Sequence, residues 1–461
     1  FGRLNYNYKE KYLLEVNGRY DGTSRFMKDQ RWNFFPSFSL GWNVARENFW
    51  KPLESVVNQF KLRGSWGELG NQNTSNLYPF YEILPVKSNS GNWLVNGGKT
   101  NTADIPSLVS TLLTWERVRS FNVGFDFGAF SNRLTGSFDY FVRKTVDMVG
   151  PAPQLPLVLG IAPAIVNNAD MKSYGFEIEL SWRDRIGEVD YGVKFNLADA
   201  QQKVVKYPNT TNAFSDWYAG KMSGEIWGYT SLGIAKTDEE MKEHLASLPN
   251  GGQNQLGNKW GAGDIMYADI NGDGKVDGGK GTLADPGDQR IIGNSTPRYN
   301  FGLVLDASYK GFDVSIFFQG VGKRDYAPIV GTNGAVFWGA VNNIWQSMAM
   351  EEHFDYFRPE GHPMGANLNG YYPRPDFTSN KNHQVQTRYL QDASYIRLKN
   401  LQIGYTLPKQ WINKLHINRC RVYVSGDNLW TGTSLASMFD PETLAAGDWG
   451  SGKTYPLSKV I

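Results

Sequence analysis

Phe121–Val142, FNVGFDFGAFSNRLTGSFDYFV, is the stretch whose reading decides the fold. Phe121, Val123, Phe125 and Phe127 alternate with Asn122, Gly124, Asp126 and Gly128. Past Ser131-Asn132 the series resumes: Leu134, Gly136, Phe138, Tyr140 and Val142 stand opposite Arg133, Thr135, Ser137, Asp139 and Phe141. A two-residue period is that of a β-strand with one apolar face and one wet face. The pattern recurs along the chain. Phe176, Ile178, Leu180 and Trp182 alternate with Glu177, Glu179, Ser181 and Arg183, and Tyr191, Val193, Phe195 and Leu197 repeat it. Phe301, Leu303, Leu305 and Ala307 are followed by Phe312, Val314, Ile316 and Phe318. Charges opposite unbroken apolar rows require water on one side of the sheet. Sandwich strands average about six residues. Several segments here exceed ten, which suits tilted strands crossing a bilayer.

Composition agrees. The 461 residues are 14% aromatic and include 50 glycines, yet mean hydropathy is negative. A transmembrane barrel explains this combination, because alternate residues face a polar lumen and apolarity never accumulates. Aromatics gather at the two membrane interfaces. No run of about 18 apolar residues offers a membrane-spanning helix. A net charge of +2 gives no support to a nucleic-acid partner. A single cysteine, Cys420, excludes an internal disulfide framework. No signal peptide is seen, and Phe1 falls inside an alternating segment, so the start reads as a cut through a longer chain.

Connections alternate between short and long. The short ones are Lys9–Lys11, Gly128–Asn132, Asp184–Glu188, Tyr309–Gly311 and Pro408–Leu415. The long ones are Asn71–Leu113, Gly150–Met171, Tyr207–Arg298, Lys323–Asp392 and Thr431–Thr454. Short turns on one rim and long loops on the other is the outer-membrane arrangement. The expected fold is all-β, a transmembrane antiparallel β-barrel of which about 13 strands are present. The last strand is expected near Tyr455–Ile461, running to the periplasmic rim.

Ordered motifs carry a resemblance. Tyr12–Phe26 (YLLEVNGRYDGTSRF), Arg31–Trp42 (RWNFFPSFSLGW), Lys61–Gln72 (KLRGSWGELGNQ) and Leu113–Met148 are followed by Gly263–Asp277 (GDIMYADINGDGKVD) and Arg290–Arg298 (RIIGNSTPR). Ala393–Pro408 (ASYIRLKNLQIGYTLP), Asp427–Trp430 (DNLW) and Asp440–Glu442 (DPE) close the series. In order and number these resemble the SusC/RagA family of TonB-linked outer-membrane proteins. The resemblance implies that residues 1–461 are the C-terminal part of a barrel of roughly 22 strands, with the plug domain absent and the last strand clipped. It implies TonB-driven import of oligosaccharides or peptides, a TonB contact through the missing N-terminal plug region, and a SusD-like surface lipoprotein as lid. A passive structural or adhesive barrel is the alternative, and a soluble glycan-binding β-array is a weaker one.

Candidate chemistry is sparse. Asp269, Asn271, Asp273 and Asp277, with Gly274 at the turn, resemble an EF-hand-type calcium loop. Lys275 would offer its carbonyl. Lys280 sits where the closing Glu belongs, so Asp288 is the candidate closing carboxylate. The alternative is a metal-free turn of Asx and Gly residues. Gly274, Gly279 and Lys280 approach a phosphate-loop spacing, but Gly281 replaces its Ser/Thr. The five histidines show no ligand spacing, and no nucleophile elbow exists, so no enzymatic constellation is expected.

The long loops are rich in tryptophan. Trp217, Trp260, Trp338, Trp345 and Trp449 are candidates for contact with cargo or lid, and loop-on-loop packing is the competing use. Phe121, Phe125, Phe138, Ile178, Val193, Leu303 and Ile316 are expected to face lipid, and Asp126, Asp139, Glu177, Glu179 and Lys194 the lumen. The loops Tyr207–Arg298, Lys323–Asp392 and Thr431–Thr454 are expected to dock the lid.

Overall fold

A computed structural model describes residues 1–74, 77–150, 156, 158, 160–161, 163–328, 335–339, 349–376, 380–413, 417–444 and 455–461. Twelve strands form one antiparallel sheet: β1 Gly2–Tyr8, β2 Tyr12–Gly22, β3 Trp32–Asn43, β4 Val57–Asn71, β5 Glu116–Ala129, β6 Leu134–Val149, β7 Asn167–Ile186, β8 Val189–Lys206, β9 Arg298–Tyr309, β10 Phe312–Lys323, β11 Tyr395–Thr406 and β12 Arg421–Thr433. Hydrogen-bonded neighbours follow sequence order throughout. The thirteenth expected strand is represented by one antiparallel bridge, Asp427 to Val460, whose two N–H···O bonds measure 2.8 and 3.1 Å. No helix among the described residues is long and apolar enough to cross a membrane, which says nothing of crossing by strands.

The chain divides into two compact units: Phe1–Ile178 with Ala200–Met222, and Glu179–Asp199 with Ser223–Ile461. In the first, register shows why the alternation matters. Tyr12, Trp42, Leu62, Phe125 and Phe138 are successive cross-strand partners and form one apolar row. One residue along, Leu13, Gly41, Arg63, Gly124 and Asp139 form the next row, on the opposite face. Phe125 and Phe138 stack with centroids 5.6 Å apart, so the apolar row gains aromatic contact as well as burial. A slip by one residue would exchange the two faces.

In the second unit Val193, Leu305, Ile316 and Leu401 are partners in one row. Gly192, Asp306, Ser315, Gln402 and Ser425 form an adjacent polar row. The β9–β10 turn is two residues long, with φ of 47° at Lys310 and 91° at Gly311, the left-handed pair that matches strand twist. A Cβ at Gly311 would lie 2.8 Å from the Thr406 carbonyl oxygen, so glycine is required there.

Two connections depart from the sequence reading. Val44–Val56, between β3 and β4, holds two short 3-10 helices, Val44–Arg46 and Asn48–Leu53, which the alternation did not signal. The long stretches of the second unit are folded. Glu225–Gly228 pairs with Arg290–Asn294, and Ser231–Ile234 with Ile265–Tyr267. Helix α1, Asp238–Ala246, starts at Thr237, whose hydroxyl accepts from the Glu240 amide at 3.1 Å, a capping contact reinforced by acids in the first turn. These pieces surround a core containing Ile265, Tyr267, Phe337, Trp338, Tyr372 and Tyr389, all essentially inaccessible to water.

Candidate functional site: the polar strand face and the folded loop cluster

The polar face of the first unit is organised by ion pairs. Arg63 donates to both oxygens of Asp139 at 2.6 and 2.5 Å, and to Asp126 at 3.0–3.2 Å. Asp126 and Asp139 therefore share one face, opposite Phe121, Phe125 and Phe138, as the two-residue period requires. Asn5, Asn7, Glu15, Lys61 and Ser65 line a cavity of about 470 Å³ on this face.

In the second unit Arg421 binds Asp313 and also donates to Gln402 at 2.9 Å. Its guanidinium lies where a Cβ on Gly404 would sit, which is why that strand position carries no side chain. Lys194 stands in register with Val304, and Val304 with Phe317. The polar face thus includes apolar patches that alternation alone does not reveal.

The loop cluster of the second unit is held by a buried charge network. Asp264 is fully buried and accepts from Arg374 at 2.7 and 2.6 Å, Lys381 at 3.0 Å, Asn382 at 2.9 Å and the Gly261 amide at 2.9 Å. The Lys381 ammonium also reaches the carbonyls of Asn258 and Lys259, and lies 5.1 Å from the centre of the Trp260 ring. Buried charges persist only with this degree of pairing. Arg397 binds Asp440 at 2.7 Å and Glu442 at 3.0 Å, tying β11 to the 433–444 segment. Burial works against the Asp440 charge, yet the Leu457 amide and the Arg397 guanidinium hold its carboxyl below the usual carboxylate range.

The sequence-selected calcium loop is built as a nest of turns. Asp269 accepts from the Gly272 and Gly274 amides at 2.6 and 2.8 Å. Asn271 accepts from the Asp273 amide at 3.0 Å, and Asp273 from that of Lys275 at 3.2 Å. Asp288, expected from sequence to close a calcium site, binds backbone amides of the loop in this structure. It is fully buried and accepts from the amides of Ile270 at 2.7 Å, Asn271 at 3.3 Å and Asp277 at 2.8 Å. The Lys275 ammonium holds the Asp277 carboxyl below its usual range, against the pull of burial. Among the described residues, no three acidic, histidine or cysteine side chains are arranged to hold a metal ion. In this geometry the carboxylates are engaged by backbone amides and Lys275.

The candidate tryptophans divide. Trp338 is fully buried and packs edge-on to Phe337, His383 and Tyr389. Its ring serves loop packing and presents no face to a ligand here. Trp260 is partly buried against Tyr267. Trp217 meets Tyr207 edge-on at 6.0 Å. Trp345 and Trp449 lie outside the described residues. Sequence reasoning missed the Asp264 network, in which the acid lies more than 100 residues from its side-chain donors Arg374, Lys381 and Asn382. It also missed a hairpin at Leu94–Val95 and Gly98–Lys99 that the Asn96-Gly97 pair signals.

Long amphipathic strands in sequential antiparallel order are what the wall of an outer-membrane β-barrel requires. The family described as "TonB dependent receptor-like, beta-barrel" matches residues 1–429, and the chain belongs to it. Among curated relatives, TonB-dependent receptor P3 of Formosa agariphila is 30% identical over 96% of this chain and 41% of its own length. TonB-dependent receptor SusC of Bacteroides thetaiotaomicron is 25% identical over 89% of this chain and 38% of its own. A solved structure titled "Structure of the RagAB peptide transporter" shares the fold with a TM-score of 0.74 and 23% identity, covering 99% of this chain and 46% of that one. The chain thus spans less than half the length of these relatives. They bear out the SusC/RagA resemblance and place the chain in the bacterial outer membrane. The named relatives are receptors and transporters.

Proposed function

We propose that this chain is the barrel portion of an importer that moves bulky nutrients, oligosaccharides or peptides, across the outer membrane. Import is driven by TonB acting through a plug segment, and a surface lipoprotein of the SusD kind acts as lid. It does no chemistry on its cargo. The observation that supports this reading best is the folded loop cluster. A simple pore needs no extracellular module with its own buried core and charge network, because ordering each residue costs roughly 1–2 kcal/mol of backbone entropy. A lid and a large cargo do need a preformed face. Trp260 is proposed as a contact on that face, and Trp217, in the first unit, as a separate contact for lid or cargo. A structural calcium ion at Asp269, Asn271, Asp273, Lys275, Asp277 and Asp288 is a separate proposal, and it requires these carboxylates to turn from their amide partners.

The test is growth of a strain lacking the complete gene. It should fail on one class of oligosaccharide or peptide while growing normally on the monomers, and loss of TonB should reproduce the defect. Undiminished uptake of every oligomer in the deletion strain would leave the passive structural or adhesive barrel as the better reading.

A further inference from the structure

His353 is buried in the loop cluster of the second unit, with 4% of its surface in water. It lies in the 3-10 turn Glu351–Phe354. Its ring is held on three sides. Nδ1 accepts from the Met350 amide at 2.9 Å. Nε2 meets the carbonyls of Val336 and Phe337, both at 3.1 Å. The third contact is steric: a Cβ on Gly339 would fall on the imidazole. Gly339 also has a φ of 49°, a conformation that favours glycine. The Met350 partner is an N–H, so Nδ1 has to be the acceptor. Nε2 therefore carries the proton and donates to the two carbonyls. A neutral imidazole meets all of these demands. An imidazolium cannot, because a proton on Nδ1 would set one N–H against another. The segment fastened in this way carries Phe337 and Trp338, both fully buried in the aromatic core.

We propose that His353 is a pH-sensitive clasp: neutral, it locks residues 335–339 to the Glu351–Phe354 turn, and protonated, it lets them go. The buried position offers a cation nothing in exchange. Among the described residues, the ring's hydrogen-bond partners are all backbone groups, and no carboxylate is one of them. Tyr372 faces the ring edge-on at 5.5 Å. Burial holds its hydroxyl far above the usual tyrosine range, so it stays neutral. Phe337, Trp338 and Gly339 bring no charge. The acids nearby point the other way. Glu351 and Glu352 flank His353 in the turn and Asp355 follows, and all three are exposed. Glu352 is itself engaged by the Ser437 hydroxyl. These carboxylates favour a protonated ring only once it has left its pocket for water. The open form therefore takes up the proton. The clasp is complete above the ordinary histidine value of about 6.5 and weakens as pH falls below it.

The test is amide hydrogen exchange on the complete transporter in detergent, at about pH 7.5 and about pH 5, with rates corrected for their intrinsic pH dependence. In wild type, protection of residues 335–339 should fall about ten-fold between the two. The ceiling is about thirty-fold, because the lower pH lies roughly 1.5 units below the ordinary histidine value. His353→Gln keeps a donor and an acceptor but cannot titrate, so its protection should change less than about two-fold. His244 and His383 are present in both proteins, so the difference between the profiles belongs to His353. Gly339→Ala places a methyl group where the ring sits. It should be weakly protected at the higher pH already and lose little more at the lower. Should both variants misfold, the wild type still decides. Loss confined to residues 335–339 and 350–354 supports the clasp. Loss spread equally over Ile265–Tyr267 is general acid unfolding and overturns it. Equal profiles in wild type and His353→Gln overturn it too, as does a wild type that keeps its full protection in acid.

Discussion

Arg63 and Asp139 face each other as a two-pronged ion pair, with Nη1 to Oδ1 at 2.6 Å and Nη2 to Oδ2 at 2.5 Å. They sit on neighbours of β5, on β4 and β6, so the pair crosses an intervening strand at Gly124. Arg63→Met would leave Asp139 and Asp126 without their cation. The expected loss is about 1–3 kcal/mol, toward the low end because the cluster is partly open to water. Guanidinium unfolding in detergent reads this directly. Adding Asp126→Asn and Asp139→Asn should restore part of the loss.

Val193 belongs to an apolar row with Leu305, Ile316 and Leu401, and its neighbour Lys194 to the opposite face. Val193→Arg should cost about 2–4 kcal/mol if the row crosses the bilayer near its midplane. Lys194→Gln should cost well under 1 kcal/mol, as surface changes usually do. Reversal of that order in lipid-vesicle refolding would mean the face assignment is inverted.

Glu47, on the short-turn rim, accepts from Lys11 at 2.9 Å, Tyr12 at 2.7 Å and Trp42 at 3.2 Å. The Lys11 ammonium, then the Tyr12 hydroxyl and the Trp42 indole, hold its carboxyl down at about 2. A depressed carboxyl stabilises the fold above its ordinary value of 4.5 and loses that contribution as pH falls toward 2. Thermal unfolding should therefore show a steeper loss of stability across this window in wild type than in Glu47→Gln. Parallel profiles would sink the idea.

Asp288 satisfies three amides from a fully buried position. Asp288→Ala should destabilise the loop cluster by about 3 kcal/mol, since each stranded amide costs roughly 1–3 kcal/mol and partial relaxation recovers some. Hydrogen exchange at Ile270 and Asp277 is the local readout. If calcium binds, saturating calcium should raise the thermal midpoint of wild type over that in chelator, and Asp269→Ala should abolish the difference. Identical midpoints with and without calcium in wild type would fit the amide-closed turn alone.

The strands were legible because their signal is local. Phe121 to Val142 states its own period, and Glu177 or Asp139 on the wet side fixes which face is which. The loops were not, because their order depends on contacts remote in sequence. Tyr267 donates to the Lys381 carbonyl across 114 residues, and no spacing in the chain announces it. Trp338 reads as an exposed loop aromatic until Tyr389 and His383 are placed around it. The Asp269–Asp277 spacing is visible in the sequence, with Asp288 downstream of it. What the spacing could not say is that backbone amides take those oxygens in this geometry.

The Asp264–Lys381 contact joins residues 117 positions apart, with β9 and β10 between them. Closing so long a loop carries an entropic cost that grows with its length, and nothing nearby in sequence can nucleate it. Zipping the β9–β10 hairpin between Asp264 and Lys381 shortens the loop that the buried ion pair must close. The expected order is therefore the β9–β10 hairpin first and the Asp264–Lys381 contact after it. Pulse-labelled refolding should show β9 and β10 amides protected ahead of Ile265 and Tyr267. The outer rim thus depends on contacts remote in sequence, whereas each strand of the wall pairs with its neighbour in the chain.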